Sequence, residues 1–243
     1  MTSYNITLVV LSFAVAVMGS LMALIMTRDA LLRSADSRRG LVALAALCLG
    51  GVGIWSMHFI GMLAFDMNGM DMNYNWWLTA LSLLVGIVVV YIGLALMSLG
   101  EFSYFRLILA GIFVGFGVAA MHYTGMLSMQ VQADAHWNAA IIAASIGIAV
   151  VASIVALWLA VHVKKMWQMM VSAVVMGVAV CGMHYTGMAA VDFVHNPALP
   201  AVEPMTTTIT VFAMSIAVID TVIAVLAMMV AMVEMNKRTF TSV

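Results

Sequence analysis

The sequence predicts an all-α membrane protein of seven transmembrane helices, with its N-terminus outside and its C-terminus in the cytoplasm. Three observations predict this class: the composition, seven long apolar runs, and basic residues that all fall on one side. Of the 243 residues, 65% are hydrophobic and 8% are charged, and the mean hydropathy is +1.15. Soluble domains are about half apolar and about a quarter charged. The composition therefore excludes an ordinary soluble enzyme, a disordered chain and a nucleic-acid-binding protein.

Seven apolar runs are each long enough to cross about 30 Å of hydrocarbon. They cover residues 5–27, 40–65, 76–99, 107–129, 138–161, 166–191 and 206–233. Helices are the expected spanning form, because the runs are longer than a barrel strand and lack its alternation. Residues 1–235 are thus predicted to form one membrane domain, and residues 236–243 a cytoplasmic tail or the start of a linker.

The basic residues define the orientation of these helices. All nine follow an odd-numbered run: Arg28, Arg33, Arg38, Arg39, Arg106, Lys164, Lys165, Lys237 and Arg238. Because basic residues mark the cytoplasmic side, the odd-numbered helices are expected to end in the cytoplasm. Trp76, Trp77 and Trp137 fall at the opposite ends and predict an aromatic belt at the outer interface.

A hexapeptide recurs three times along the chain. It reads MHFIGM at residues 57–62 and MHYTGM at residues 121–126 and 183–188, at intervals of 64 and 62 residues. Each interval equals two spans with their loops, so the motif always falls near the outer end of an even-numbered helix. The sequence predicts three parallel two-helix repeats, at about residues 1–66, 67–130 and 131–192, plus an extra helix at 206–233.

Helical spacing places a glycine, the histidine and a methionine of each repeat along one helix face. The glycines (Gly51, Gly115 and Gly177) lie seven residues before the histidines, and the methionines lie four residues after them. Small residues allow helices to approach closely, so we expect these glycines to form the contacts between the even-numbered helices. Eight residues beyond the histidines, Asp66 and Asp192 continue the line as outer polar neighbours of a shared site.

The shared line predicts a metal site near the outer surface. The candidate ligands are His58, His122, His184, Met62, Met126 and Met188. Imidazole with thioether, without thiolate, suits copper better than zinc or a hard cation. Haem is an open alternative, because histidine and methionine on membrane helices also serve as its axial ligands. Duplication of a packing motif would place the same residues together without any metal.

Two further features stand outside the repeat. Met67, Met70 and Met72 lie in an otherwise polar outer loop and are candidates for capturing Cu(I). Asp220 lies near the middle of the last run, where an ionisable side chain is a candidate proton site. It is equally well explained as a protonated acid that is hydrogen-bonded to a neighbouring helix.

Over nearly its whole length the chain resembles the MHYT domain, a bacterial integral-membrane sensory module named for this motif. The resemblance implies copper bound near the outer face of a bacterial inner membrane, a response to oxygen, carbon monoxide or nitric oxide, and a cytoplasmic signalling domain or partner. It adds Met57, Met121 and Met183 to the ligand set and points to Tyr123 and Tyr185 as neighbours of the metal. The first repeat departs from the pattern with Phe59 and Ile60.

Two classes of function remain open after these observations. The first is a membrane sensor that responds to a diatomic gas, to redox state or to copper itself. The second is a copper or proton transporter or channel, which Asp220 favours. The sequence contains no nucleophile triad, phosphate loop or paired carboxylates, so we expect no enzymatic activity within these residues.

Overall fold

Seven long helices make up the computed structural model, which describes residues 3–67, 72–199 and 206–241. Helix two is built of three consecutive segments, Ala35–Ala46, a π-helical Leu47–Ser56, and Met57–Leu63. The others are Ile6–Leu31 (helix one), Trp76–Met97 (three), Tyr104–Leu127 (four), Ala139–His162 (five), Met166–Met188 (six) and Ile209–Thr241 (seven). All seven are long and apolar enough to cross a membrane.

Asparagine side chains begin helices one, three and five in the same way. The side chains of Asn5, Asn75 and Asn138 each accept two hydrogen bonds from backbone N–H groups in the first turn. Such caps satisfy donors that a helix N-terminus leaves without partners. The backbone N–H of each asparagine also donates to a carbonyl just after helix two, four or six, belonging to Ala64, Ser128 or Ala190 at 2.7–2.8 Å. These bonds hold the starts of helices one, three and five beside the ends of helices two, four and six, respectively.

Short antiparallel strands connect the helices at the same end of the bundle, which we call the strand side. Ser3–Tyr4 pairs with Phe65–Asp66, and Ala133–Trp137 pairs with Val191–His195. Asn73–Asn75 lies between Met129–Gln130 and Thr206–Thr208. The strands were not predicted, because pairs of two to five residues carry no periodicity that a sequence pattern can show.

Helices one to six form a closed ring in which neighbours along the chain are neighbours in space. Helix one completes the ring against helix six, while helices two, four and six also contact one another at the centre. Helix seven packs outside the ring, against the π-helical segment of helix two. The most apolar window of helix two is 83% buried, whereas the corresponding windows of the other six are 17–44% buried. Helix two is therefore an interior helix, and the others present apolar side chains outward.

Close backbone contacts surround the π-helical segment. A Cβ atom on Gly19 of helix one would lie less than 3.0 Å from the backbone of Gly53. A Cβ atom on Gly50 would lie equally close to the backbone of Gly86 in helix three. The segment is wider than an α-helix and is packed on both sides without intervening side chains. Sequence periodicity did not reveal it, because the change of pitch is set by these tertiary contacts.

The predicted spans differ from the observed helices at their ends. Helix one ends at Leu31 rather than 27, helix two begins at Ala35 rather than 40, and helix seven continues to Thr241 rather than 233. Hydropathy marks only the part of a helix that crosses hydrocarbon, whereas the helical hydrogen bonds continue into the polar region. Most of the expected tail, residues 236–241, is helical.

Candidate metal centre

Three buried histidines meet at the centre of the ring. His58, His122 and His184 come from helices two, four and six, and each is 1% exposed. The Nδ1 atom of His58 lies 3.0 Å from the Nδ1 atom of His122 and 3.0 Å from that of His184. One nitrogen from each ring falls within 4.8 Å of the other two, an arrangement that can hold a metal ion. We call this cluster the histidine triad.

The three imidazole rings pack directly against one another. Their centroids are 4.7, 5.0 and 5.3 Å apart, and the ring planes meet at 71–85°. Edge-to-face contact of this kind leaves no gap between the rings. A flat macrocycle therefore has no space between any two of the histidines.

A glycine of a different repeat supports each imidazole. The Nε2 atom of His58 faces Gly125, that of His122 faces Gly187, and that of His184 faces Gly61. A Cβ atom on any of these glycines would lie less than 3.0 Å from the facing Nε2 atom. The contacts run in one direction around the centre, so each repeat positions the histidine of another. None of the three Nε2 atoms has a hydrogen-bond partner within the described parts of the chain.

These supporting glycines correct the prediction made for Gly51, Gly115 and Gly177. A Cβ atom on Gly51 would instead approach side chains of helices three and seven, one on Gly115 would approach helix five, and one on Gly177 would approach helix one. The contacts between even-numbered helices use the glycine three residues after each histidine. That glycine is visible in all three hexapeptides, but one repeat does not show which residue of another repeat will lie against it.

All six motif methionines are buried, between 0% and 4% exposed. Met57, Met121 and Met183, which precede the histidines, line a cavity of about 50 Å³ together with the triad. Met62, Met126 and Met188 lie on the strand side of the triad and are not among the residues that line the cavity. The methionines that precede the histidines therefore line the cavity, and those that follow the histidines lie on the other side of the triad, nearer the strands.

Hydroxyl contacts join the motif tyrosines to the odd-numbered helices. The hydroxyl of Tyr123 lies 2.6 Å from the Ser145 hydroxyl, and that of Tyr185 lies 2.9 Å from the Ser12 hydroxyl. Each tyrosine ring also packs against the histidine before it, with centroids 4.8 and 4.7 Å apart. The tyrosines thus position the histidine-bearing helices and do not contact the cavity.

Aromatic residues cover the strand side of the triad. Tyr4 packs edge-on against Tyr185, with ring centroids 5.6 Å apart. Burial raises the pKa of the Tyr4 hydroxyl, and the nearby Tyr185 hydroxyl raises it further. Burial also raises the pKa of Tyr74, which is 0% exposed. Both phenols stay neutral near pH 7, so this cover carries no charge close to the triad.

Four other predicted site residues lie away from the triad. Asp66 and Asp192 occupy exposed positions on short strands, and the triad Nε2 atoms have no hydrogen bond to them. Met67 and Met72, the outer-loop candidates for capturing Cu(I), are 4% and 7% exposed and belong to the hydrophobic core. Met70 falls outside the described residues.

Asp220 forms a separate polar contact on helix seven. Its Oδ1 atom accepts a hydrogen bond of 2.6 Å from the Ser56 hydroxyl, at the end of the π-helical segment. The Gly51 carbonyl oxygen lies 3.2 Å from the same hydroxyl. Asp220 is thus hydrogen-bonded to helix two, at Ser56, which lies two residues before His58 in the chain.

Comparison with known proteins places the chain among bacterial signalling proteins. Residues 51–110, 115–173 and 177–242 match the MHYT family, described as a bacterial signalling protein N terminal repeat. Two relatives come from Pseudomonas aeruginosa. The bifunctional diguanylate cyclase/cyclic di-GMP phosphodiesterase MucR is 40% identical over 79% of this chain and 28% of its own length. The cyclic di-GMP phosphodiesterase NbdA is 32% identical over 77% of this chain and 24% of its own length. The signaling protein YkoW of Bacillus subtilis is 32% identical over 82% of this chain and 25% of its own. The chain spans about a quarter of the length of these relatives. No solved structure matches it.

Proposed function

Because the chain belongs to the MHYT family of bacterial signalling proteins, we propose that it is a membrane sensor domain whose histidine triad holds a copper ion. The observation that carries the proposal is the convergence of three buried Nδ1 atoms, two pairs of which lie 3.0 Å apart. Nitrogens that share one ion at bonds of about 2.0 Å lie no more than about 4 Å apart. Two of the three pairs fit this limit, and one nitrogen from each ring lies within 4.8 Å of the other two.

The free triad has a hydrogen-bonding conflict among its Nδ1 atoms that an ion removes. A neutral imidazole carries one proton and one lone pair. The Nδ1 atom of His58 has either one lone pair or one proton for two neighbouring Nδ1 atoms, so it cannot make a full hydrogen bond to both. Three Nδ1 lone pairs directed at one cation would be fully used, with every ring in the same tautomer. The supporting glycines leave Nδ1 as the nitrogen that faces the shared centre.

The donors favour copper among the metals of the cell. Imidazole nitrogen suits several transition metals, whereas the thioethers of Met57, Met121 and Met183 beside the same cavity suit Cu(I). Zinc is less well matched, because thioethers are not among its usual ligands. Haem does not fit, because the imidazole rings touch and a cavity of about 50 Å³ is far too small for a macrocycle. Copper would supply a centre that changes oxidation state or binds a small ligand.

The arrangement of the helices supports a link between the triad and the cytoplasm. We propose three parallel two-helix repeats around a common axis, with the N-terminus outside, because all basic residues follow odd-numbered helices. Each histidine then belongs to a helix that begins at the cytoplasmic face of a bacterial inner membrane. A change at the triad that alters the packing of helices two, four and six would reach that face. The signal is a diatomic gas, redox state or copper itself.

The relatives suggest what receives the signal. Their names describe signalling or the turnover of cyclic di-GMP, and the present chain covers about a quarter of each. We propose that this domain is not itself an enzyme and that it regulates a cytoplasmic signalling domain or partner of that kind. Transport is the alternative, since helix seven brings an acid into the apolar region. The Asp220 carboxylate is bonded to Ser56, not to the triad.

Metal content tests the proposed site. The purified domain is dialysed to equilibrium against copper with a competing chelator, and its metal content and optical spectrum are then measured. We expect one copper per chain, a preference over zinc, and no Soret band. A folded domain that retains no metal, or one that carries haem, would overturn the proposal.

A flux assay separates the sensor from the transporter. Copper and proton uptake are measured in vesicles that contain the wild-type domain, the Asp220→Asn variant, or no protein. A sensor gives the same background flux in all three, and the substitution leaves bound copper unchanged because an amide oxygen still accepts from Ser56. Flux above background that Asp220→Asn abolishes would establish transport instead.

A further inference from the structure

The cavity beside the triad extends away from the strand side, into the middle of the bundle. Besides the triad and its preceding methionines it is lined by residues of helices two to six, including Val114, Leu157 and Met176. Val114 lies eight residues before His122, a distance of about 12 Å along a helix. Ser153 is the one polar residue in the lining besides the histidines. The cavity therefore forms an apolar space that ends at the imidazoles.

Its size and lining favour a small apolar occupant over water. A water molecule needs about 10–15 Å³ and two to four polar partners, while apolar cavities stay dry and take up molecules such as xenon. About 50 Å³ is room enough for a molecule of a few heavy atoms. The Nδ1 atoms face one another and the Nε2 atoms face glycines, so the walls offer few hydrogen bonds.

Among the residues that the structure describes, those on the strand side cover the triad. Met62, Met126 and Met188 are at most 4% exposed, and Tyr74 is 0% exposed. An occupant that arrived from the outer aqueous phase would have to displace several of these side chains. The entrance therefore lies elsewhere.

A groove on the outer surface of helices five and six adjoins the cavity and shares two lining residues with it. It is lined by Ala144, Gly147, Ile148, Val151, Ala152, Val155, Val175 and Ala179. Ala152 and Ala179 line both the groove and the cavity, and both are half-buried. Every other groove residue is apolar, and Val151 is 63% exposed. In a chain that spans a membrane, such a surface faces lipid tails.

We propose that this groove is a lateral portal through which a small, uncharged, apolar molecule passes from the hydrocarbon of the bilayer to the histidine triad. Ala152 and Ala179 lie between the groove and the cavity, and their methyl side chains obstruct the way less than larger side chains would. The proposal rests on the proposed function in one respect, namely that the molecule meets a metal ion when it reaches the triad. The cavity and its entrance belong to the metal-free chain.

Xenon tests the portal without any metal. The metal-free domain is placed in nanodiscs with isotope-labelled histidines, and NMR follows the ring signals and the exchange of xenon as its pressure rises. We expect one xenon to shift the ring signals of His58, His122 and His184. Absence of any such shift in the wild-type domain would overturn the proposal.

Substitutions at the entrance locate the route. Ala152→Leu and Ala179→Leu should slow xenon exchange about tenfold or more, since overfilled positions have to move aside. Ala144→Leu is the matched control, because it lies on the same helix and in the same groove but does not line the cavity. Ala179→Gly should speed exchange, and it tests the same point without added bulk if the leucine variants do not fold. Equal exchange rates in all variants would refute the portal.

Copper dialysis of the same variants separates the two proposals. Xenon exchange through the groove in a domain that holds no copper would leave the portal standing and refute the metal site. Stoichiometric copper in a domain whose cavity takes no xenon would refute the portal alone.

Discussion

Helix two and the pair of helices four and six carry the same hexapeptide in different surroundings. Helices four and six are regular α-helices over the motif, and each motif tyrosine bonds to a serine of an adjacent odd-numbered helix. Helix two contains the π-helical segment, has Phe59 at the tyrosine position and is covered by helix seven. The imidazoles nonetheless converge, so the three helices reach one geometry by different contacts.

The serine opposite the motif shows how helix two compensates. Ser12 and Ser145 lie beside tyrosine hydroxyls, whereas helix two has Phe59 at the tyrosine position and offers no such hydroxyl to Ser82 of helix three. The indole Nε1 of Trp55 instead donates to the Ser82 hydroxyl at 3.0 Å. Phe59 packs against Tyr74 and Phe212, with centroids 5.7 and 5.0 Å away. Every repeat therefore has a polar contact between its even-numbered helix and a serine of an odd-numbered helix. In helix two this contact comes from Trp55, one turn before the tyrosine position.

Histidine substitutions give the largest expected effect and test whether the three helices contribute equally. Each of His58→Ala, His122→Ala and His184→Ala should weaken copper binding by about 10-fold or more, as loss of a group at a metal site does. His58→Ala should be the most severe, because its Nδ1 atom contacts both other rings. The measurement is dialysis against a competing chelator, with monodisperse elution as the check of folding.

His162→Ala serves as the control for these variants, because His162 is exposed and lies at the end of helix five away from the strand side. Full copper retention in a folded variant that lacks all three triad histidines would contradict the proposed site.

The supporting glycines test how helices two, four and six depend on one another, because each glycine contacts the histidine of another of these helices. Gly61→Ala, Gly125→Ala and Gly187→Ala should each destabilise the fold by about 1–3 kcal/mol, as added bulk in a packed core does. They should also displace His184, His58 and His122 respectively, which histidine ring signals in NMR would show separately from any loss of stability. Gly182→Ala is the control on helix six, since nothing lies within 4 Å of a Cβ atom there. Unmoved ring signals would contradict the supporting role.

Restoring the missing hydroxyl in helix two tests whether its surroundings have diverged. Phe59→Tyr places a hydroxyl in a fully buried aromatic cluster where Trp55 already uses Ser82. An unpaired buried hydroxyl should cost about 1–3 kcal/mol in the free energy of unfolding. Thermal unfolding in detergent is the measurement. A stabilised variant would show that Ser82 can still accept the repeat contact and that helix two has not diverged there.

The reverse substitutions in helices four and six should have the smallest effect. Tyr123→Phe and Tyr185→Phe each remove one hydroxyl contact, worth about 1 kcal/mol. The cost stays low because Ser145 and Ser12 also donate to carbonyls of their own helices. Copper affinity should be unchanged, since the tyrosines do not line the cavity. A large loss of copper in either variant would show that the tyrosine acts at the metal.

The sequence by itself determined the seven helices and the three histidines. Hydropathy is averaged over about twenty residues, so the prediction of a membrane-spanning helix does not depend on how individual side chains pack. The recurrence of one hexapeptide at two-span intervals selected His58, His122 and His184 among six histidines. The ends of the helices were less certain, because the helices continue beyond the apolar runs on which the prediction depended.

Tertiary structure alone decided how these residues meet. Which glycine faces which imidazole, the π-helical segment, the burial of Met67 and the partner of Asp220 all depend on contacts between distant parts of the chain. A helical pattern shows which side chains share a face, but it contains no information about the helix opposite that face. The boundary that Ala152 and Ala179 form between groove and cavity arises in the same way, because it exists only when helices five and six are both in place.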